Sequence, residues 1–328
     1  MVDPDVAAGE GAAPDVSVVV VSYNALDWLE KCLAAVVGHG STTGRRLEVI
    51  VVDNASPRQE VRDYLATDPL GVRVIQLETN VGFGRACNLG IASSTGRYVM
   101  LLNPDAVVTP GAVDALVDFF VADPGRGLVG GRTLRPDGTL DRSSCWAGPT
   151  VWSLFCAATG LTSAFRYSRW FDPESMGGWL RDSPREVDIV TGCLLLTSRE
   201  LWDTLGGFDP DFFMYGEDAD LSLRAREQGW RPSVTPESVV VHAVGASSSD
   251  KYAKHRLLMR GKASLLRKRW SPPRRSIGLA LLAAGVGLRA AAERVRGHRD
   301  GTYARLWAER REWLAGWPVY RPELDPVG

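Results

Sequence analysis

No two of the five cysteines (Cys32, Cys87, Cys145, Cys156 and Cys193) lie close enough in the chain to form a C-x-x-C pair. Their number is odd and four sit among apolar or small residues, which reads as buried free thiols in a reducing compartment. The opening stretch, MVDPDVAAGEGAAPD, has no apolar core, so it is not a signal peptide, and residues 1–15 read as a short disordered arm. Net charge is only −1, which argues against nucleic acid as a partner held by global charge. Acids are missing between residues 251 and 275, where Lys and Arg abound, and such asymmetry marks an anionic partner surface. The longest apolar run, IGLALLAAGVGL at 277–288, is too short to span a bilayer by itself. No internal repeat is visible.

What is present fits one large soluble domain or two modest ones. VSVVVVSYN (16–24) is a β-branched run that reads as a strand buried on both faces. Asn24 is placed to cap a helix on which Leu26, Leu29, Leu33 and Val37 recur at helical spacing. LEVIVVDNAS reads as a second strand, 58–66 as a helix, VRVIQLETN as a third strand, GFGRACNLGIASS as a helix and RYVMLLNPD as a fourth strand. Thr109 and Pro110 cap the helix after that, with the proline in its first turn. This alternation implies βαβ units and a parallel sheet.

The rhythm changes after about residue 135. Residues 141–186 are rich in Trp, Ser, Pro and Gly with weak periodicity, and Trp152, Trp170 and Trp179 there are assigned to core packing rather than to stacking on a sugar. VDIVTGCLLLTS resumes as a strand, and Ser198 caps a short helix that ends at Gly206 and Gly207. FDPDFFMYGED is an aromatic-rich loop, ADLSLRAREQG a helix stopped by Gly229, and SVVVHAVG a last strand. Beyond 250 the chain reads as helical and basic.

Ligands of an open parallel sheet gather outside the carboxyl ends of its strands. Three such ends carry polar residues: Ser22, Tyr23 and Asn24; Asp53 and Asn54; Asn103, Pro104 and Asp105. Asp105 ends a buried strand, a costly place for a carboxylate unless something compensates it. No G-x-G-x-x-G follows the first strand, since SYNALDW has no glycine, and a Walker A loop is missing too. The edge is therefore a nucleotide site of another type, or not a nucleotide site.

The stretches VSVVVVSYN, VIVVDNAS, NVGFGRACNLGI, LLNPDA and GGFDPDFFMYGEDADLSLRAREQGW, in this order, resemble the successive motifs of family-2 glycosyltransferases of the GT-A fold. Within that family they are most similar to the bacterial rhamnosyltransferase-like branch. The resemblance covers residues 16 to about 245. It implies a Rossmann-like, mostly parallel α/β sheet flanked by helices. It further implies an inverting transfer of a sugar, best matched by rhamnose from dTDP-rhamnose, out of a nucleotide-diphospho-sugar. The acceptor would be a hydroxyl on a polyprenyl-linked glycan or on a natural-product scaffold.

By the same resemblance Asp53 contacts the nucleobase, with Ser22, Asn24, Asn54, Arg85, Asn88 and Asn103 around the donor. Asp105 matches the last acid of a D-x-D motif that holds Mg²⁺ or Mn²⁺ on the diphosphate, Asn103 standing where the first acid would be. His242 is implied as a further metal ligand. Asp218 is implied as the general base and Glu217 as its neighbour toward the acceptor. Asp220 is set instead to pair with Arg224 one turn on.

The expected organisation is a catalytic domain over 16–250, with a nucleotide-sugar half at 16–135 and an acceptor half at 136–250, followed by a basic helical extension over 251–328. That extension either meets an anionic membrane surface or caps the domain with a solvated basic face. The expected location is the cytoplasm, with the inner face of the plasma membrane as the alternative that the membrane reading carries. Two other functions are weighed. A sugar-nucleotide nucleotidyltransferase would need a basic Gly-rich loop after the first strand. An inactive sugar-nucleotide-binding module would need a lost acid or histidine, yet Asp105, Asp218 and His242 are all present.

Overall fold

The computed structural model describes residues 13–123, 125–243, 250–298 and 300–322. Most of the expected N-terminal arm (1–12) and the end of the last expected strand (244–245) lie outside them. Residues 13–15 are tied down: the Asp15 amide donates to Arg46 O at 3.0 Å and the Arg97 amide to Pro14 O at 3.3 Å.

The first half alternates as its sequence requires. It runs β1 (Val16–Ser22), α1 (Leu26–His39), β2 (Leu47–Asp53), α2 (Gln59–Ala66), β3 (Arg73–Gln76), α3 (Phe83–Ala92) and β4 (Tyr98–Leu102). Every residue of β1 is buried, because helices cover both faces of the sheet. Val16, Val18 and Val20 face α1, while Val19 and Val21 face α3, the alternation that a pleated strand imposes. Burying each valine contributes about 1.5–3 kcal/mol.

The chain continues through β5 (Ala106–Val108), α4 (Ala112–Val121), β6 (Leu128–Leu134), β7 (Leu140–Asp141), β8 (Cys145–Trp146), α5 (Val151–Thr159) and α6 (Leu161–Ala164). Then come β9 (Arg185–Glu186), β10 (Ile189–Val190), β11 (Leu194–Ser198), α7 (Arg199–Leu205), α8 (Glu217–Glu227) and β12 (Ser233–His242). The main sheet has the order β3-β2-β1-β4-β11-β6-β12-β5. It is parallel from β3 to β4, and β11 is antiparallel to both its neighbours.

β5 follows β4 in sequence yet pairs with β12 at the far edge. Strands spaced about 4.8 Å apart would set those two roughly 19 Å from each other in a flat sheet. The link from Leu102 to Ala106 reaches about 14 Å at most. The sheet therefore curls at its carboxyl edge, and Asn103, Pro104 and Asp105 cross the mouth of the curl.

Several local expectations are corrected. Asn24 does not cap α1; it adopts a left-handed φ of 56°, and its side chain accepts the Arg58 amide. α4 begins after Gly111 at φ 73°, so Pro110 precedes the helix, and Thr109 bonds Val239 O instead. The expected strand at 187–198 is split into β10 and β11 by Thr191, Gly192 and Cys193. The irregular 141–186 segment holds α5, opened by a Thr150–Ser153 capping box. Trp179 packs against the core, but Trp152 and Trp170 are 48% and 62% exposed: α5 covers the core with its other face.

The C-terminal extension forms α9 (Lys251–Arg269), α10 (Pro272–Val295), α11 (Thr302–Ala308) and α12 (Arg310–Ala315). Its Leu266, Trp270, Leu282, Val286, Leu306 and Trp313 share one core with Leu154 of α5. α10 sets the apolar run within a helix of 24 residues, because Pro272 and Pro273 start the helix early and alanines carry it on. By length and composition alone, it is long enough to cross a bilayer.

Candidate active site

The β5–β12 ladder builds the centre of the site. Ala106 pairs with His242, and the Ala243 amide donates to Asp105 O at 2.9 Å. This register brings His242 Nε2 to 3.2 Å from Asp105 Oδ1. The other ring nitrogen, Nδ1, lies 3.2 Å from Asp141 Oδ2, and Asn103 Nδ2 approaches Nε2 at 3.4 Å. All three ionisable groups are buried. Burial alone would push the imidazole down, but hydrogen bonds to the Asp105 and Asp141 carboxylates raise it to about 9. Burial pushes Asp141 up; its bonds to His242 and Ser143 outweigh that and hold it below the usual carboxylate range.

The donor set suits a divalent ion. Asp105 and His242 Nε2 present one oxygen and one nitrogen at contact distance from each other. Asp141 grips the far side of the ring, where a carboxylate orients a metal-binding histidine. Among the described residues no three His, Cys, Asp or Glu side chains form a complete cage. That matches an ion that takes its remaining ligands from phosphates and water.

Asp218 and Glu217 open α8 behind Gly216, whose φ is 102°. Asp218 Oδ2 accepts the Gly192 amide at 3.3 Å and Oδ1 accepts the Ala219 amide at 2.8 Å. Burial raises the Asp218 carboxyl, and those two N–H groups oppose the rise. Glu217 is more deeply set against Gly84, and its Oε2 has no hydrogen-bond partner among the described residues. Burial, and then the charge on Asp218, push it well above the carboxylate range. Of this adjacent pair, Glu217 is pushed further toward the protonated form than Asp218.

Gly192 and Cys193 join the two halves of the site. The Cys193 carbonyl accepts the Asn103 amide at 3.1 Å, one residue from the Gly192 amide that holds Asp218. Burial, partly offset by a bond to Thr191, and the charges of Asp141, Asp218 and Asp105 push the Cys193 thiol up to about 12. Tyr215, at φ 65°, lies where Glu217 and Asp105 both act on its hydroxyl.

The remaining candidates divide. Ser22, at the end of β1, has a buried hydroxyl without a partner among the described residues. Asp53 is fully buried; it accepts the Ser56 amide at 3.2 Å and lies 3.5 Å from Gln76 Nε2. Asn24 joins the same turn, its amide donating to Ser56 Oγ. By contrast, Asn54 spends its side chain on Asn80, Val81 and Gly82. Asn88 spends both ends of its amide on the Phe208 backbone. Arg85 Nε donates to Pro210 O, and the guanidinium lies 4.1 Å from the Tyr320 ring centroid. Asn88 and Arg85 hold the 206–213 loop against α3, while Asn54 fixes the turn at 80–82 that leads into it. Gly82, at φ 89°, lets that loop close, because a Cβ there would collide with Phe213 O.

Asp141 was not singled out in the sequence, although a signal existed. Pro136, Asp137 and Gly138 form a hairpin turn that returns Asp141 beside Thr133. The acids of the 209–220 segment also have partners in the extension. Lys268 Nζ lies 2.6 Å from both Asp209 and Asp211. Arg269 Nε lies 2.7 Å from Asp220, which also pairs with Arg224 at 2.7 Å. Trp317 Nε1 donates to Met214 O at 3.2 Å. Much of the basic run read as an anionic partner surface is thus used inside the molecule.

The family model for glycosyl transferase family 2 matches residues 17–182. The chain is 30% identical over 260 residues to the N-acetylglucosaminyl-diphospho-decaprenol L-rhamnosyltransferase of Mycobacterium tuberculosis, covering 73% of this chain and 79% of that protein. Among solved structures it is similar to the mannosyltransferase PcManGT from Pyrobaculum calidifontis in complex with GDP-Man and Mn²⁺. There the TM-score is 0.53 at 21% identity, over 93% of this chain and 86% of that one. It is also similar to GalNAc-T7 with UDP, GalNAc and Mn²⁺, with a TM-score of 0.58 at 15% identity, over 95% of this chain and 59% of that one.

Proposed function

Since the chain belongs to glycosyl transferase family 2 and is a glycosyltransferase of the GT-A fold, we propose that it transfers a sugar, with inversion, from a nucleotide-diphospho-sugar to a hydroxyl of a lipid-linked glycan. Rhamnose is the sugar that the name of its Mycobacterium tuberculosis relative supports, and that name also supports a polyprenyl-diphosphate acceptor; dTDP as its carrier rests on the branch resemblance alone. The carrying observation is the backbone link that joins Asp218 to the Asn103–Asp105 segment: the Gly192 amide donates to Asp218, and the next residue, Cys193, accepts the Asn103 amide.

In this reading Asp105 and His242 hold Mg²⁺ or Mn²⁺, which neutralises the leaving diphosphate when bound. The turn around Asn24, Asp53 and Ser56, beside the unpartnered Ser22 hydroxyl, receives the nucleoside. Asp218 takes the proton of the acceptor hydroxyl as its oxygen bonds the anomeric carbon from the face opposite the diphosphate. The bond to phosphate breaks with its electron pair on the nucleoside diphosphate. Glu217, its carboxyl pushed well above the usual range by burial and by Asp218, disfavours a second charge in the base's surroundings. Five free buried cysteines and a lipid-linked acceptor together favour the cytoplasm, at the inner membrane face.

Calorimetric titration with several sugar nucleotides, with and without Mg²⁺ or Mn²⁺, tests the donor and the metal, and the anomeric configuration of the product tests inversion. Metal-independent binding, or retention, would overturn those parts of the proposal. Asp105→Ala and His242→Ala are each expected to weaken metal-dependent donor binding by at least about tenfold. An unchanged metal dependence in His242→Ala would reduce this residue to a strand-end ion pair.

The proton on His242 gives a pH dependence. To bind an ion through Nε2 the ring must lose it, so Mn²⁺ affinity should rise by up to about tenfold per pH unit and level off above about 9. The metal-free fold responds in the opposite sense. The raised value stabilises it fully below about 6.5, and this contribution is lost as pH rises through about 9. Calorimetry in buffers of different ionisation enthalpy reads the released proton; a pH-independent affinity would remove His242 from the metal site.

A further inference from the structure

α10 carries an uncovered apolar stripe along its whole length. Ile277, Ala280, Ala284, Leu288, Ala291 and Val295 recur at helical spacing and are all exposed. The opposite face of the same helix is buried through Leu282, Val286 and Ala290. α5 carries a second stripe, Trp152, Phe155 and Thr159, also exposed. The Trp152 and Phe155 rings stack at 5.5 Å, and Trp152 Nε1 donates to Trp170 O. Phe165 packs on Phe171 at 5.0 Å beside them.

The two stripes open on the same side of the molecule. α5 and α10 run side by side in the same direction: Arg274 donates to Pro149 O at one end and Arg289 to Ala157 O at the other. On α10 the row that meets α5 contains Gly285 and Arg289, and the exposed row lies one residue before it. On α5 the row that meets α10 contains Leu154 and Ala158, and the exposed row lies one residue after it. One residue is a rotation of about 100°. Opposite rotations away from a shared seam, on parallel neighbours, point to one side. Aromatic side chains with polar tips and a continuous aliphatic helix thus make one face.

We propose that this face seats the protein on the surface of an anionic lipid bilayer. Its rim is basic: Arg166, Arg169 and Arg274 are exposed there, and no acid occurs between residues 251 and 292. The acids nearest the aromatic cluster are engaged, Asp172 by the Tyr167 amide and Glu174 by Ser153 and Lys262. A second copy of the chain is the poorer occupant, because self-pairing would set one basic rim against another, whereas anionic headgroups neutralise it. α10 lies on the bilayer rather than crossing it, since its other face belongs to the core with Leu306 and Trp313. The surface is thus carried by α5 and α10, not by α9, whose Lys268 and Arg269 are paired internally. The proposal deepens the reading of a lipid-linked acceptor, but it concerns the bilayer itself and is tested without donor or acceptor.

The full chain is mixed with vesicles of phosphatidylglycerol and phosphatidylcholine, or of phosphatidylcholine alone, across a salt series, and co-sedimentation and tryptophan emission are read. Binding to the anionic vesicles is expected, with a blue shift from Trp152 and Trp170 and a part that salt does not remove. Ile277→Gln with Leu288→Gln should weaken partition by about tenfold or more. Phe165→Ser with Trp170→Ser is an independent pair on the other stripe, should the first destabilise the fold. The proposal falls if the wild type ignores anionic vesicles at low salt, or if both double variants bind like wild type. It also falls if sedimentation velocity shows a dimer that the variants dissociate and vesicles do not. Vesicle binding without transfer to any lipid-linked acceptor would overturn the acceptor reading and leave this one standing.

Discussion

Asp218→Asn should lower kcat by ~10²–10⁴-fold, the usual loss when a general base is removed, while nucleotide-sugar affinity stays unchanged. The amide keeps the shape of the carboxylate but cannot accept a proton from an attacking hydroxyl. The Gly192 and Ala219 amides donate to different oxygens of Asp218, so the variant leaves one of them facing an NH₂ group. Donor binding measured in the same preparation separates that local cost from the chemical one. Glu217→Gln supplies the contrast. Glu217 is buried and its carboxyl is pushed well above the usual range, by burial and then by the charge on Asp218, so a neutral amide of the same size should change kcat little. Should Asp218→Asn keep more than half of the wild-type kcat while Glu217→Gln loses most of it, the assignments exchange.

The second large effect is on stability. Asp220 is 0% exposed and sits between Arg224 and Arg269. Asp220→Ala leaves two guanidinium groups facing each other beside a buried site, and breaking such a pair costs about 3–5 kcal/mol. Arg269→Ala should cost less, because Arg224 still holds the carboxylate from the same helix. Denaturant midpoints at constant slope read both changes. Equal losses in the two variants would mean that α9 alone carries the interaction. Activity need not follow stability here, since both carboxylate oxygens of Asp220 are taken by arginines.

The strands were readable because a sheet buried on both faces writes continuous apolar runs, as in VSVVVVS. The three polar strand ends followed from the same pattern. His242 beside Asp105 was available only through family resemblance: their pairing is a register between strands distant in sequence, and neither residue carries a local mark of it. Asp141 was missed by both routes, although its hairpin turn was legible. Trp152 and Trp170 show a different limit. An aromatic stripe at helical spacing says that one face is apolar, not that another element covers it. The Lys268 and Arg269 charges were misread for a related reason. A basic segment requires negative partners, and the acids that supply them here, Asp209, Asp211 and Asp220, lie in the same chain. Conversely, Asn54 and Asn88 sit where a ligand would be expected, and only the structure shows their amides committed to backbone.

The crossing from β4 to β5 also has a consequence for how the chain comes into being. Asp105 is made early, but its histidine follows 137 residues later (242 − 105). Closing a segment of that length costs about 4 kcal/mol of chain entropy beyond a constant. β1–β2 and β2–β3 pair across βαβ units of ordinary length, and the longer β1–β4 closure, over 82 residues (98 − 16), is complete in sequence before Asp105 is made. During synthesis the nucleoside-side edge can therefore mature while Asp105 still lacks its partner. Asp218 enters in the same late interval, 24 residues ahead of His242 (242 − 218). On the proposed assignments an incomplete chain would carry a place for a nucleoside but no reactive centre, and transfer would begin only once β12 has docked.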